Sequence, residues 1–266
     1  MGLDLKDYQI VKKCSGNGVN KIYIVKHRTT KEYYVIKIIA LEEEERQLRE
    51  IEVHKTLNHK YVVTLVDHDI KENSLILLIE FAKYGDLFGF LRKMKNLDLR
   101  KIIKFYYKII QSVSFLHDKK LVHRDIKPEN IMITKNFRPK LADFGTSGKK
   151  NQIFNTFCGT YEYMAPEIFL RDKQTEKVDI WALGILLYEM VHLKTPFKNK
   201  TLQDVKAILK SKSIPFKKGI DGNIASFVYW VLQLDPKKRP SCKEMLKHPL
   251  FDCVKVFKEK TDSNNQ

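Results

Sequence analysis

Cysteine is scarce and scattered: Cys14, Cys158, Cys242 and Cys253 stand far apart in a chain of 266 residues and in no metal-ligand spacing. This pattern excludes a disulfide framework and gives no support to a zinc site, so reduced thiols in the cytoplasm or nucleus are expected. No apolar run approaches the length that spans a bilayer, and the opening MGLDLKDYQI lacks the charged-then-apolar layout of a signal peptide, so membrane insertion is not expected. Met1-Gly2 begins like an acylation start, but Lys6 stands where the myristoylation motif takes Ser or Thr. Repeats, low-complexity tracts and long linkers are missing, and only the closing TDSNNQ reads as disordered. Acid is in deficit: 32 Asp and Glu face 49 Lys and Arg, a net charge of +17. Such a balance suits an anionic partner. The lysines, however, run from Lys12 and Lys13 to Lys255 and Lys258 without the interleaved aromatics of single-strand binders, which argues for a solvated basic surface and against nucleic acid.

What remains is ordinary for a folded protein: 43% of residues are apolar and 30% charged. The length suits one unit with two lobes and leaves no room for a second module. Short apolar runs at 22–25 (IYIV) and 33–39 (YYVIKII), separated by polar turns, read as antiparallel strands. Residues 41–57, rich in helix formers and acidic in the first turn, read as a helix, and SLILLIEF at 74–81 as a buried strand. Long helical patterns dominate from Asp86 onward. Asp98 is placed to cap a helix whose apolar face carries Ile102, Ile103, Tyr106, Ile109, Ile110, Val113 and Leu116. Residues 178–191 are apolar almost all round, which predicts a helix buried in the middle of the second half.

The densest chemistry lies in HRDIKPEN at 123–130, DFG at 143–145 and APE at 165–167. One such tripeptide alone reads as a turn with a capping aspartate; three in this order are not a chance arrangement. Over residues 8–252 the chain resembles the eukaryotic protein kinases. The resemblance implies an α+β, bilobal fold, with a small antiparallel-sheet lobe and one helix at 8–82, a larger helical lobe at 83–252, and a tail at 253–266. It also implies transfer of the γ-phosphate of ATP, with Mg2+, to Ser or Thr of other proteins.

Phosphoryl transfer asks for a base, charge neutralisation and fixed geometry more than for covalent help. By the motif, Asp125 accepts the proton of the substrate hydroxyl and Lys127, a residue typical of serine/threonine kinases, offsets charge on the moving group. Asn130 and Asp143 supply oxygen ligands for Mg2+. Lys37, ending the strand-like VIK, matches the ATP-pairing lysine, and Glu50 on the following helix its ion-pair partner. Ile79 matches the residue guarding the deep pocket, Glu80 and Ala82 the backbone partners of adenine, and Met132 the pocket floor. Asp179 matches the brace of the catalytic loop, and Arg239 the partner of Glu167. Within the family, NTFCGTYEYMAPE at 155–167 and TEKVDIWALGILLYEM at 175–190 look closest to the Aurora kinases and their basic-substrate relatives.

That subfamily likeness implies arginine upstream of the target residue. Glu129 and Glu189 match the acids that read the nearer arginine, Asp86 the farther, and Glu129 also borders the nucleotide. It further implies activation by phosphorylation of Thr156, bridging Arg124 and Arg49, with Thr160 bonded to the catalytic residues, and leaves room for an activating protein. Two departures stand out. The segment between Lys37 and Glu50 is several residues shorter than in Aurora kinases. The phosphate loop places Ser15, Asn17 and Asn20 at the family's glycine positions, with Gly16 and Gly18 one step off, in the frame that keeps Ile22 facing inward. The altered loop admits a rival reading, a nucleotide-binding scaffold without catalysis, against which Asp125, Lys127, Asn130 and Asp143 argue. A small-molecule phosphotransferase would not need the peptide platform between Gly145 and Glu167.

Overall fold

The computed structural model describes residues 3–15, 21–42, 44–94, 98–145, 147–149, 161–170, 172–252 and 254, without the side chains of residues 15, 45, 46, 49, 50 and 149. Strands β1 (Tyr8–Ser15), β2 (Lys21–His27) and β3 (Tyr33–Ala40) open the chain, helix α1 (Glu44–Lys55) follows, and β4 (Leu65–Lys71) and β5 (Ser74–Glu80) complete an antiparallel sheet of order β1-β2-β3-β5-β4. The β-branched and aromatic residues of β2, β3 and β5 suit this pleated, half-buried surface. One face of the sheet packs Val25, Ile36, Ile76 and Leu78 with Leu3 into a small core.

Helix α1 is shorter than the composition of 41–57 predicts. The Leu41 amide donates to the Asn73 carbonyl in the β4–β5 turn, 2.9 Å away, which holds the chain extended before the helix starts. The β4 segment LVDHDIK gave no signal of its own, because its apolar content is low; its place comes from pairing with β5.

After β5 the chain runs through Tyr84 and Gly85, which exchange backbone hydrogen bonds with Ile133, into α2 (Leu87–Lys93) and the long α3 (Leu99–Asp118). Gly85 holds φ at 69°, a conformation that costs glycine nothing. Asp98 caps α3 by accepting from the Arg100 amide, and all seven apolar residues expected on its inner face are buried. Short strands follow: β6 (Leu121–Val122), β7 (Ile131–Ile133), β8 (Pro139–Leu141) and β9 (Gly148–Lys149) form the pairs β6–β9 and β7–β8. Helix α4 (Pro166–Phe169) precedes α5 (Lys177–His192), and α6 (Leu202–Lys210), α7 (Gly222–Val231) and α8 (Cys242–Met245) complete the helical half.

Helix α5 is the hub that its all-round apolar sequence predicts, buried at all but a few positions. It packs so closely on α7 that a Cβ at Gly184 would meet Leu232 at 2.7 Å and Val231 at 2.9 Å. Arg239, buried on the same hub, places both terminal nitrogens 2.7 Å from the carboxylate oxygens of Glu167 and lies over the Trp181 ring. A buried pair of this kind costs about 3–5 kcal/mol when one partner is removed, because the other is left charged and unsolvated. It anchors α4, and with it the end of the segment that precedes α5, to the helical core.

Candidate active site

Between β6 and β7 lies the loop 123–130, whose shape is set by one buried carboxylate. Asp179, fully buried in the first turn of α5, accepts from the His123 and Arg124 amides, each at 2.8 Å, and from His117 Nε2 at 2.9 Å. Burial pushes its carboxyl up, but the hydrogen bond and charge of His117 and the charge of His123 outweigh that, so its pKa ends below the ordinary value. Anchored so, Arg124 takes φ 71°, a strained conformation for a residue with a side chain, worth about 1–3 kcal/mol.

The strained turn presents Asp125. Lys127 Nζ lies 2.8 Å from Asp125 Oδ2, and Asn130 Nδ2 donates to both the carbonyl and Oδ2 of Asp125, again at 2.8 Å. With its amide nitrogen committed, Asn130 keeps its oxygen for another ligand. Asn130 O accepts from the Ala142 amide, and His123 Nε2 donates to Ala142 O at 3.1 Å, which ties the loop to the residue before Asp143.

Asp143, also at positive φ (62°), meets Lys37 Nζ at 3.3 Å across the cleft. Burial acts to raise its pKa, and the Lys37 ammonium prevails, holding it below the usual carboxylate range. Lys37 itself is positioned by register, opposite Ile22 on β2 and Leu77 on β5. A cleft of about 710 Å³ separates the sheet from the loop, with Ile22, Val35, Ile79, Ala82 and Met132 among its walls beside Lys37 and Asp143. Ile22 faces inward, as the chosen frame of the phosphate loop requires. The Glu80 carboxylate pairs with Lys140 Nζ, 2.6 Å off.

Asp86 caps α2 by accepting from the Gly89 amide at 2.7 Å, and also lines the cleft. Glu189 on α5 accepts from the Tyr163 hydroxyl. Burial, together with the carboxylates of Glu129 and Glu162, pushes its pKa up to about 7 against the opposing charge of Arg92. Glu129, Glu162 and Glu189 thus form one acidic cluster.

Several predicted residues fall outside this description. Gly16, Asn17, Gly18, Asn20, Thr156 and Thr160 lie outside the described residues, and of Ser15, Arg49 and Glu50 only the backbone, in β1 and α1, is described. Three residues were missed. Glu162 joins the acidic cluster and Tyr163 bonds to it. His54, one turn beyond Glu50 on the same helix, lies 4.6 Å from the Phe144 ring and donates from Nε2 to Val63 O at 2.8 Å. Burial lowers the pKa of His54, with Lys37 acting in the same direction. The four-residue spacing of Glu50 and His54 was the available signal. Among the described residues no group of three or more His, Cys, Asp or Glu side chains is arranged to hold a metal, and no helix is long and apolar enough to cross a membrane.

A sheet lobe and a helical lobe closing on a lysine, two aspartates and an asparagine define a phosphotransferase, and the model of the protein kinase domain matches residues 9–251. The chain belongs to the protein kinase family. More narrowly, it is an Aurora-like serine/threonine kinase: it is 32% identical to Aurora kinase of Schizosaccharomyces pombe over 91% of this chain and 70% of that protein. Aurora kinase of Encephalitozoon cuniculi is 33% identical over 81% of each chain, and mouse Aurora kinase C 26% identical over 92% of this chain and 91% of that one.

Proposed function

We propose that this kinase phosphorylates Ser or Thr residues preceded by arginine at the second or third position. The acidic cluster of Glu129, Glu162 and Glu189 carries the proposal: a carboxyl raised to about 7 first by burial and then by two neighbouring carboxylates gains most by taking up a cation. A guanidinium offers paired, charge-assisted hydrogen bonds to such a site. Asp86 stands as the acid for the more distant arginine.

In the reaction, Asp125 orients the hydroxyl and takes its proton, and Lys127 neutralises charge on the group in transfer. Lys37 draws the ATP phosphates, with Glu50 as its support from α1. Mg2+ fits the carboxamide oxygen of Asn130 and the carboxylate of Asp143 and would supply charge neutralisation between the phosphates when bound. The catalytic unit is read as 8–252 with its lobes meeting near residue 83, 253–266 as a tail, and the site of action as the cytoplasm or nucleus.

Thr156 is read as the activating phosphosite. A phosphate there would bridge Arg124 of the catalytic loop and Arg49 of α1, tying the loop to the helix that carries Glu50 and ordering the platform around Thr160. An activating protein would act on the same helix.

A peptide-array assay with Mg-ATP tests both halves, with Asp143→Asn as the inactive control. Replacing the upstream arginines by alanine should slow phosphorylation by about 10-fold or more, the loss expected of a charge-assisted pair. Thr156→Ala and phosphatase treatment should each reduce the rate on the best peptide. Equal rates on arginine and alanine peptides would sink the substrate reading, and a fully active Thr156→Ala protein the switch.

A further inference from the structure

Behind the catalytic loop, on the side away from the nucleotide, a second cavity of about 150 Å³ opens between α3, α5 and α8. His117 and Cys242 share its wall, and the two are in contact: Cys242 Sγ lies 3.7 Å from His117 Nδ1. The other imidazole nitrogen, Nε2, is the one 2.9 Å from Asp179, whose carboxylate also holds the His123 and Arg124 amides. A thiol, an imidazole and a carboxylate therefore form one line, ending on the backbone that presents Asp125.

The charges along that line are set by contact. Burial works against the imidazolium, yet the interactions with Cys242 and with the Asp179 carboxylate, hydrogen bonds included, outweigh it and push the pKa of His117 up to about 10. At neutral pH His117 thus donates from both nitrogens, one bond to Asp179 and one toward sulfur. Cys242 Sγ, 3.7 Å from His117 Nδ1, therefore has a proton donor within reach for the leaving group of a reagent it attacks. Two further ionisable groups face Cys242, Tyr106 on α3 and Lys177 on α5, while Lys120, Glu176 and Lys243 line the cavity. Cys242 is 2% exposed, so the cavity is its route to solvent and admits only small reagents.

We propose that Cys242 is a peroxide-reactive site that reports to the catalytic loop through His117 and Asp179. The Cys242 thiolate attacks one oxygen of a hydroperoxide. The S–O bond forms as the O–O bond breaks, sulfur is oxidised by two electrons to sulfenic acid, and the peroxide is reduced. The leaving oxygen takes the His117 Nδ1 proton and departs as water or an alcohol. His117 ends neutral, and Asp179 loses the cation that offset its burial. The anchor of the His123 and Arg124 amides weakens, and activity falls. A thiol reductant returns the sulfenic acid to thiol and the proton to His117.

Exposed Cys14 on β1 serves as an internal comparison. The full chain is treated with hydrogen peroxide for graded times, quenched with catalase and denatured in dimedone, and all four cysteines are mapped by peptide mass spectrometry. Peptide phosphorylation is assayed in parallel. The expected result is labelling of Cys242 that tracks the loss of activity and reverses with dithiothreitol. Activity of Cys242→Ser and Cys242→Ala should be lost at least roughly fivefold more slowly, and His117→Asn should slow Cys242 labelling by a similar factor, the leaving oxygen having lost its proton donor. The proposal is overturned if Cys242 stays unlabelled while activity is lost, if it is labelled without loss, or if both cysteine variants inactivate as fast as the parent. Because labelling is read by mass, the result does not depend on which substrate the kinase prefers.

Discussion

The lower wall of the cleft hangs its reactive groups on a buried carboxylate, whereas the upper wall relies on strand register over a core of five buried side chains among the described residues. Below, Asp179 fixes the loop by two hydrogen bonds from the loop's amides and is itself held by a third from His117 on α3, and Asp125, Lys127 and Asn130 then fix one another. Above, Lys37 owes its place to the pairing of β3 with β2 and β5. The difference teaches where each half is vulnerable. A single polar change disables the lower wall, while changes in the upper wall act by degrees.

Asp179→Asn breaks this comparison most sharply. The amide keeps one acceptor oxygen, but its nitrogen meets donors that expected a carboxylate, so Arg124 and Asp125 lose their fixed positions. A misplacement of this size should lower kcat by about 100-fold. The KM for ATP should change less than about threefold, because the register that places Lys37 is untouched. In the small core, Ile36→Val should cost only about 1 kcal/mol of stability and leave kcat near the parent value. Steady-state kinetics with thermal unfolding of both variants decides the matter. An Asp179→Asn enzyme with unchanged kcat would mean that the loop holds its shape without its anchor.

The same contrast governs what could be read without coordinates. The apolar faces of α3 and α5 were legible because burial imposes a helical period on their sequences, and the strands β2, β3 and β5 because burial selects β-branched and aromatic residues. The fold class and the Asp125, Lys127, Asn130 and Asp143 group followed from motifs; in the structure Asp125, Lys127 and Asn130 are in mutual contact, and Asn130 and Asp143 both line the cleft. What escaped were residues placed by long-range packing: Glu162 and Tyr163 beside Glu189, Phe144 against His54, and β4 with its polar sequence. The brace at Asp179 was expected by resemblance, but its extension through His117 to Cys242 was not, since no spacing links positions on α3 and α8.

Glu189 gives the second, smaller test. Its carboxyl titrates at about 7, above the ordinary 4.5, because it is buried among other acids. A raised carboxyl contributes to stability fully below 4.5 and loses that contribution as pH rises through about 7. The ionised form, disfavoured in the free enzyme by burial and neighbouring acids, is the one that would pair with arginine in the proposed substrate reading. The KM for a peptide with upstream arginine should therefore fall by up to about 10-fold between pH 6 and pH 8. Glu189→Gln should flatten that profile and raise KM at the upper end, and a peptide with alanine in place of arginine should show no such trend. A parent enzyme whose KM for the arginine peptide does not move over this range would remove Glu189 from the recognition site.

The smallest effect belongs to the upper wall, at the end of β1. There the ladder slips between Lys13 and Ser15 before Ser15 pairs with Ile22, and Cys14 faces the cleft. The residues that follow lie outside the described part of the chain, but their identities bear on affinity. Backbone amides approach phosphates most closely where no side chain stands in the way, and glycine alone takes every φ that such a loop requires. Asparagine tolerates positive φ better than most residues, so Asn17 and Asn20 are expected to weaken nucleotide binding without abolishing it. Changing Ser15, Asn17 and Asn20 together to glycine should lower the KM for ATP by about threefold, in keeping with less than 1 kcal/mol from freer backbone contact. The gain is limited because three glycines also add conformational entropy to the free loop. Since Asp125 and its anchor are untouched, kcat should stay within about twofold. An unchanged or higher KM would show that the serine and asparagine side chains themselves contribute to holding the nucleotide, and the upper wall would then depend on specific side chains as the lower one does.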